Sequence, residues 1–148
     1  MMQTRQGGLT LVELMVVVAV MAIIATIAYP IYTNQVQKSR RADAKVALET
    51  IASAQERFYT INGSYGSAAN LDDPNGDGDD VDSMIDPVLA RLDRNNDGSP
   101  DNYAISVTNG GQTFTVTATA QGPQAGDSAC ATFTINQKGE TSPASGCW

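Results

Sequence analysis

Apolar and polar positions alternate along this chain in three regimes with different periods. From Leu14 to Tyr32 the run LMVVVAVMAIIATIAYPIY carries no charge over 19 positions. A helix of that length rises roughly 30 Å, enough to cross a bilayer. Beyond it, Ala44, Ala47, Leu48, Ile51, Ala54 and Phe58 recur every three or four residues, which predicts an amphipathic helix with one buried face. Pro30 deletes one backbone donor and is expected to kink the helix rather than end it. Asn62-Gly63-Ser64 is a stop signal, so the two regimes predict one helix of about 50 residues ending near Ile61.

In the last third the period drops to two. Tyr103, Ile105 and Val107 alternate with polar residues, Asn109-Gly110-Gly111 makes a turn, and Phe114, Val116, Ala118 and Ala120 alternate again, a hairpin pattern. A third alternating run, Ala129, Ala131, Phe133 and Ile135, places Cys130 at the start of a last strand. Three antiparallel strands with one apolar face would pack on the stripe of the long helix. The predicted fold class is α+β: a long N-terminal helix, its apolar half membrane-spanning and its amphipathic half packed on a small antiparallel sheet.

Composition narrows the chemistry. The chain of 148 residues contains no His, which excludes Ser-His-Asp and Cys-His nucleophiles, histidine zinc sites and an imidazole base, and an enzyme is not expected. Sixteen acids against nine bases give a net charge of −7, the wrong sign for binding a phosphate backbone, so no direct nucleic-acid contact is expected. The acidity is local, with ten Asp between Asp72 and Asp101 against Arg91 and Arg94. Lys38, Arg40 and Arg41, beyond the apolar run, are expected on an exposed, solvated part of the helix; the alternatives are steering of anionic lipid headgroups or pairing with an acidic neighbour.

Within the acidic stretch, Asp93-Arg94-Asn95-Asn96-Asp97-Gly98-Ser99-Pro100-Asp101 has the form D-x-N-x-D-G-x-x-D. Oxygen ligands on alternate residues of a tight loop with Gly at the turn suit calcium. The EF-hand's twelfth position is Ala104 here, so Asp101 would have to close the shell, and the loop more closely resembles the short calcium loops of thrombospondin-type repeats. A less regular copy offers Asp73, Asn75 and Asp77, with Asp79 or Asp82 to complete it. The expectation is one or two calcium ions; the competing reading is a pair of solvated Asp/Asn/Gly turns.

At the N-terminus the leader MMQTRQGG carries one positive charge, at Arg5, which weakly favours a cytoplasmic start. The alanines at Ala19, Ala22, Ala25 and Ala28 form no A-x-A cleavage site. Their spacing would let another apolar helix approach closely. Glu13 sits at the edge of the apolar run, where a carboxylate is costly unless it stays at headgroup level or finds a partner.

The string Gly8-Leu9-Thr10-Leu11-Val12-Glu13-Leu14, behind a short polar leader and before an apolar run with Pro30, resembles the prepilin signature of type IV pilins. Leu9 stands where that family usually has Phe. The segment from Arg40 to Tyr65 is similar to its minor-pilin-like branch in Gram-negative bacteria. The resemblance implies removal of residues 1–8 by a prepilin peptidase, methylation of the new Leu9 amine, residues 9–32 as membrane and filament-core helix, and a head over 33–148. Acidic loops fill 72–101 of that head, a sheet 103–137, and a disulfide-closed region 130–147. The implied assembly residues are Leu9, Glu13 and Pro30, with the Glu13 carboxylate pairing to the Leu9 amine of a neighbouring subunit as a register device. Implied partners are other pilin subunits, the prepilin peptidase and an inner-membrane assembly platform. The implied location is the inner membrane, then an extracellular filament serving adhesion, motility or DNA uptake. In an exported domain, Cys130 and Cys147 are most simply a disulfide, worth about 3 kcal/mol. A pseudopilin of type II secretion and a membrane-anchored calcium-dependent binding module are the alternatives.

Overall fold

The computed structural model describes residues 10–72, 83–93, 100–143 and 146–148. Helix α1 runs from Leu11 to Asn62, straight through Pro30 in sequence. It starts at Thr10, whose hydroxyl accepts a hydrogen bond from the Glu13 amide at 3.2 Å, while the Thr10 carbonyl accepts the Leu14 amide. It ends where Gly63 takes φ +69°, a left-handed conformation natural to glycine at a helix terminus, and donates its amide to the Tyr59 carbonyl at 2.8 Å. The chain divides into two compact units, Met1–Val36 and Gln37–Trp148.

In the second unit, two short helices follow: α2, Ala68–Asp72, and α3, Asp86–Leu92. Pro87 lies in the first turn of α3, and Ser83 Oγ accepts the amides of Ile85 and Asp86 at 3.3 and 2.9 Å. Two backbone bonds draw chain ends together in this region. The Met84 amide donates to the Leu71 carbonyl at 2.9 Å, and the Asp101 amide to the Leu92 carbonyl at 2.9 Å.

The sheet is an antiparallel meander in the order β1-β2-β3-β4: Tyr103–Asn109, Phe114–Ala120, Thr132–Asn136 and Thr141–Ser142. Its register pairs Val107 with Val116, Val116 with Ile135, and Ala118 with Phe133, so the apolar positions share a face. That face meets Ala44, Leu48, Ile51, Ala54 and Phe58 of α1, with Leu71 and Ile85 closing one side of the core. The α+β architecture expected from the two periodicities is the observed one.

Two details of the sheet differ from the sequence expectation. Only Thr132–Asn136 of the third alternating run is a strand; Ser128–Cys130 forms a 3-10 turn, leaving Ala129 exposed and Cys130 before the strand instead of within it. The Cys130 amide is drawn back to the Asp127 carbonyl at 3.1 Å, which closes the turn and interrupts the alternation. The sheet also extends past residue 137 to Ser142 through β4, whose two residues are too few to carry a period.

Candidate functional site

The first unit offers an apolar surface that is exposed among the described residues. Among its large side chains, Leu11, Val12, Leu14, Met15, Ile23, Ile27 and Ile31 are exposed. By length and composition α1 is apolar enough to cross a membrane, and none of its most apolar window is buried. Burial inside this chain therefore does not explain why these residues are apolar. A membrane or other apolar helices would.

Glu13 is exposed and lies in the first turn of this helix. With Thr10 as N-cap it completes a T-x-x-E sequence whose Thr10 hydroxyl already holds the Glu13 amide, so Glu13 has a local role as well: its negative charge suits the positive end of the helix dipole. The sequence pattern contained this signal. Gly8 and Leu9 lie outside the described residues. Pro30 sits within α1, and its carbonyl accepts the Thr33 hydroxyl at 3.0 Å.

Of the expected calcium ligands, Asp73, Asn75, Asp77, Asp79, Asp82, Asn95 and Asp97 lie outside the described residues. Asp93 and Asp101 are described and half-buried. Asp93 caps the C-terminus of α3, its amide on the Leu89 carbonyl at 3.2 Å. The Asp101 amide meets the Leu92 carbonyl, so both residues stand near the base of one loop. Among the described residues no group of three or more Asp, Glu, Cys or His side chains is arranged to hold a metal ion.

Cys130 and Cys147 form a disulfide with Cα atoms 5.6 Å apart. Trp148 follows it, with its ring edge-on to Phe133 at 6.0 Å between centroids.

Arg41 departs from the expected solvated position. Its Nε and Nη2 donate to Asp127 Oδ2 and Oδ1, both at 2.5 Å, in a two-pronged ion pair. The Asp127 side chain is 4% exposed and that of Arg41 19%. The hydrogen bonds it donates to Asp127 lead in raising the guanidinium pKa further above its ordinary value. Gln124, fully buried, turns its amide nitrogen to Asp127 Oδ2 at 2.8 Å, the Tyr103 hydroxyl at 3.1 Å and the Gln37 carbonyl at 3.5 Å. Tyr103, also fully buried, donates to the Cys130 carbonyl at 3.4 Å, and burial pushes its phenol pKa up. Sequence reasoning missed this cluster because its members are 86 residues apart in the case of Arg41 and Asp127.

A second buried polar anchor lies within α1. Gln55, fully buried on the apolar stripe, donates to the Gly66 carbonyl at 2.7 Å and accepts the Gly66 amide at 3.0 Å. It fixes the chain leaving α1. Nearby, the Tyr65 amide meets the Gly111 carbonyl at 2.8 Å, Asn109 Nδ2 meets the Tyr65 carbonyl, and Tyr59 donates to Gln112, so the end of α1 is tied to the β1–β2 turn.

This arrangement, an exposed apolar helix leading into a small antiparallel sheet closed by a C-terminal disulfide, can be compared with known proteins. The family described as type IV minor pilin ComP, DNA uptake sequence receptor, matches residues 30–134. The prokaryotic N-terminal methylation motif matches residues 3–29. Over 66 residues the chain is 38% identical to the type IV major pilin protein PilA of Myxococcus xanthus, covering 45% of this chain and 30% of that protein. Over 66 residues it is 35% identical to a fimbrial protein of Neisseria meningitidis, covering 45% of this chain and 39% of that one. These matches span about a third of the length of the curated relatives. A solved type IV pilin from Shewanella oneidensis superposes with a TM-score of 0.52 at 25% identity, covering 76% of this chain and 97% of that one. Pilins are structural proteins that assemble into pilus polymers with other pilin subunits, and neither family nor fold is enzymatic. The chain belongs to the type IV pilins, in the minor-pilin family of ComP.

Proposed function

We propose that this chain is a minor subunit of a type IV pilus, cut between Gly8 and Leu9 by a prepilin peptidase and methylated on Leu9. It is held in the inner membrane by the first half of α1 and then built into an extracellular filament through that helix by an inner-membrane platform. The observation that carries the reading is the exposed, uncharged run of α1 headed by Thr10 and Glu13, in a chain whose first residues match the methylation motif. In a filament core, the Glu13 carboxylate of one subunit pairs with the Leu9 amine of another. That pair fixes register because a lone charge left in an apolar core is costly.

Among adhesion, motility and DNA uptake, the family's description favours DNA uptake. The charge of the chain argues against this head being the main phosphate-binding surface. The net charge is −7, and Arg41 is committed to Asp127. The role proposed is therefore to build and present the filament. Calcium at Asp93, Asn95, Asp97 and Asp101, with Asp73–Asp82 as a second site, remains part of this reading. Oxygen donors on alternate residues of the first loop support it, and the bond from the Asp101 amide to the Leu92 carbonyl closes that loop at its base.

The test is mass spectrometry of filaments sheared from cells, looking for a peptide beginning at methylated Leu9, in the natural chain and in Glu13→Ala and Glu13→Gln variants. Gln preserves the capping geometry with Thr10 but removes the charge. Pairing with Leu9 predicts that both variants insert in the membrane and neither enters filaments. Normal incorporation of Glu13→Gln refutes the pairing, and a natural chain that keeps its leader refutes the filament reading itself.

A further inference from the structure

Strand β1 stands at one edge of the sheet, and the register of its hairpin decides which of its backbone groups face the free side. The Gly110 amide donates to the Thr113 carbonyl and the Gln121 amide to the Asn102 carbonyl, both in step with the pairing of Val107 to Val116. Bonded and unbonded pairs alternate along an antiparallel ladder, so Ala104, Ser106 and Thr108 direct their backbone groups to β2, while those of Ile105 and Val107 aim away from it. Among the described residues no backbone group pairs with Ile105 or Val107 on that side. Their side chains are half-buried against the core, whereas Ala118 and Val116 opposite them are fully buried, so the apolar face lies open at this edge. The other edge strand, β4, is two residues long, and shortness is one way in which a sheet blunts an edge. β1 has seven residues, Tyr103 to Asn109, without a charge, a proline or a break in register. The strand itself carries none of those protections.

We propose that the free edge of β1 is a docking site for an extended segment of a partner protein, which adds itself to the sheet as a further strand. The backbone of that segment pairs with the outward N–H and C=O groups of Ile105 and Val107. Its residues opposite these two lie on the core side and are apolar, covering what β1 leaves open. The residues between them stand beside Ala104, Ser106 and Thr108 on the outer face and are small and polar. Charge selects the occupant. The chain carries −7, and β1 is entered from the acidic stretch through Asp101, so a second copy is repelled and a segment flanked by Lys or Arg is attracted. The site does not depend on the membrane helix or on polymerisation, and its failure would leave the filament reading untouched.

The probe is a synthetic peptide of alternating Thr and Val with a pair of Lys at each end, titrated into the full chain in detergent micelles. Binding is read by fluorescence anisotropy, and the edge by amide exchange in nuclear magnetic resonance. In the free chain the Ile105 and Val107 amides should exchange about tenfold or more faster than those of Ala104, Ser106 and Thr108, and the peptide should slow them by a similar factor. A Glu-flanked peptide should bind about tenfold more weakly, with the difference shrinking in high salt. Val107→Pro removes an outward amide and no ladder bond, so it should weaken binding about tenfold with Ser106 and Thr108 still protected, whereas Val107→Thr keeps the amide and should bind as the natural chain does. Failure of the Lys-flanked peptide to bind, or equal binding by Val107→Pro, overturns the proposal. Ile105 and Val107 amides as slow as their neighbours in the dilute free chain overturn it equally, since the edge would then be covered. Protection that appears without peptide and grows with protein concentration would make the occupant a second copy and overturn the choice of partner, as would a preference for the Glu-flanked peptide.

Discussion

Gln55 is the polar residue on the buried stripe of α1, and its replacement isolates how much the exit from the helix depends on it. In Gln55→Leu the side chain becomes one atom shorter and apolar, and the Gly66 amide and carbonyl, in a buried residue, lose both partners. Each orphaned group costs about 1–3 kcal/mol. The leucine recovers about 1–2 kcal/mol by burying apolar surface. The net expectation is a loss of about 2–3 kcal/mol. At roughly 4 °C per kcal/mol for a head of this size, that is a Tm lower by about 8–12 °C. The assay is thermal unfolding of the full chain in micelles, followed by near-ultraviolet circular dichroism. Gln55→Glu sharpens it: an ionised carboxylate still accepts the Gly66 amide but faces the Gly66 carbonyl without a proton to donate. Lowering the pH until the acid is protonated restores that donor, so this variant should gain stability relative to the natural chain as pH falls. If Gln55→Leu melts within 2 °C of the natural protein, or if Gln55→Glu shows no relative recovery in acid, the pair with Gly66 is not what holds the exit.

Further outcomes follow from other contacts. Arg41→Leu should cost about 3–4 kcal/mol because it strands the buried Asp127 carboxylate, and Arg41→Leu/Asp127→Leu should cost less than that single change; a double variant as unstable as the two singles added would refute the coupling. Because burial raises the Tyr103 phenol pKa, the folded state keeps a proton that the unfolded chain loses near pH 10; that contribution is fully present below pH 10 and is lost as pH rises through the folded value, visible as a falling denaturant midpoint in alkali that Tyr103→Phe flattens. Gly122→Ala should destabilise by about 2 kcal/mol or more, since φ is +52° and a Cβ would stand 2.8 Å from the Asp101 carbonyl oxygen; an unchanged urea midpoint would contradict this. Millimolar calcium should raise the Tm of the full chain and Asp97→Ala should abolish the increment, while identical melting curves with and without calcium would remove the ion from the account.

The periodic parts of the fold were legible because they advertise themselves in apolar residues alone. The stripe from Ala44 to Phe58, the stop after Asn62 and the alternations in β1 and β2 are statements about which side faces the core, and the chain writes them locally. Helix α3 was not legible. Its apolar residues, Val88, Leu89 and Leu92, are few and lie inside an Asp-rich stretch, where turn chemistry dominates the pattern. Gln55, Gln124 and Asp127 were missed for a different reason. A buried polar residue is tolerable only because of the group opposite it, and here that group comes from 11 residues away for Gln55 and 86 for Asp127. Nor does apolar periodicity say which acidic residue pairs with Arg41, since Asp127 lies 86 residues away.

The two backbone bonds at the feet of the acidic stretch bear on how this molecule can vary. Leu71 and Met84 are hydrogen-bonded neighbours, reinforced by the Ser83 hydroxyl on the Asp72 carboxylate at 3.1 Å, and Leu92 and Asp101 are joined in the same way. Whatever chain lies between each pair leaves and re-enters the head at a single tied point. Lengthening a loop closed in this manner costs only about 0.6 kcal/mol per doubling. These two places can take added length, such as a grafted peptide for display, at little cost to the helix and sheet to which they are tied.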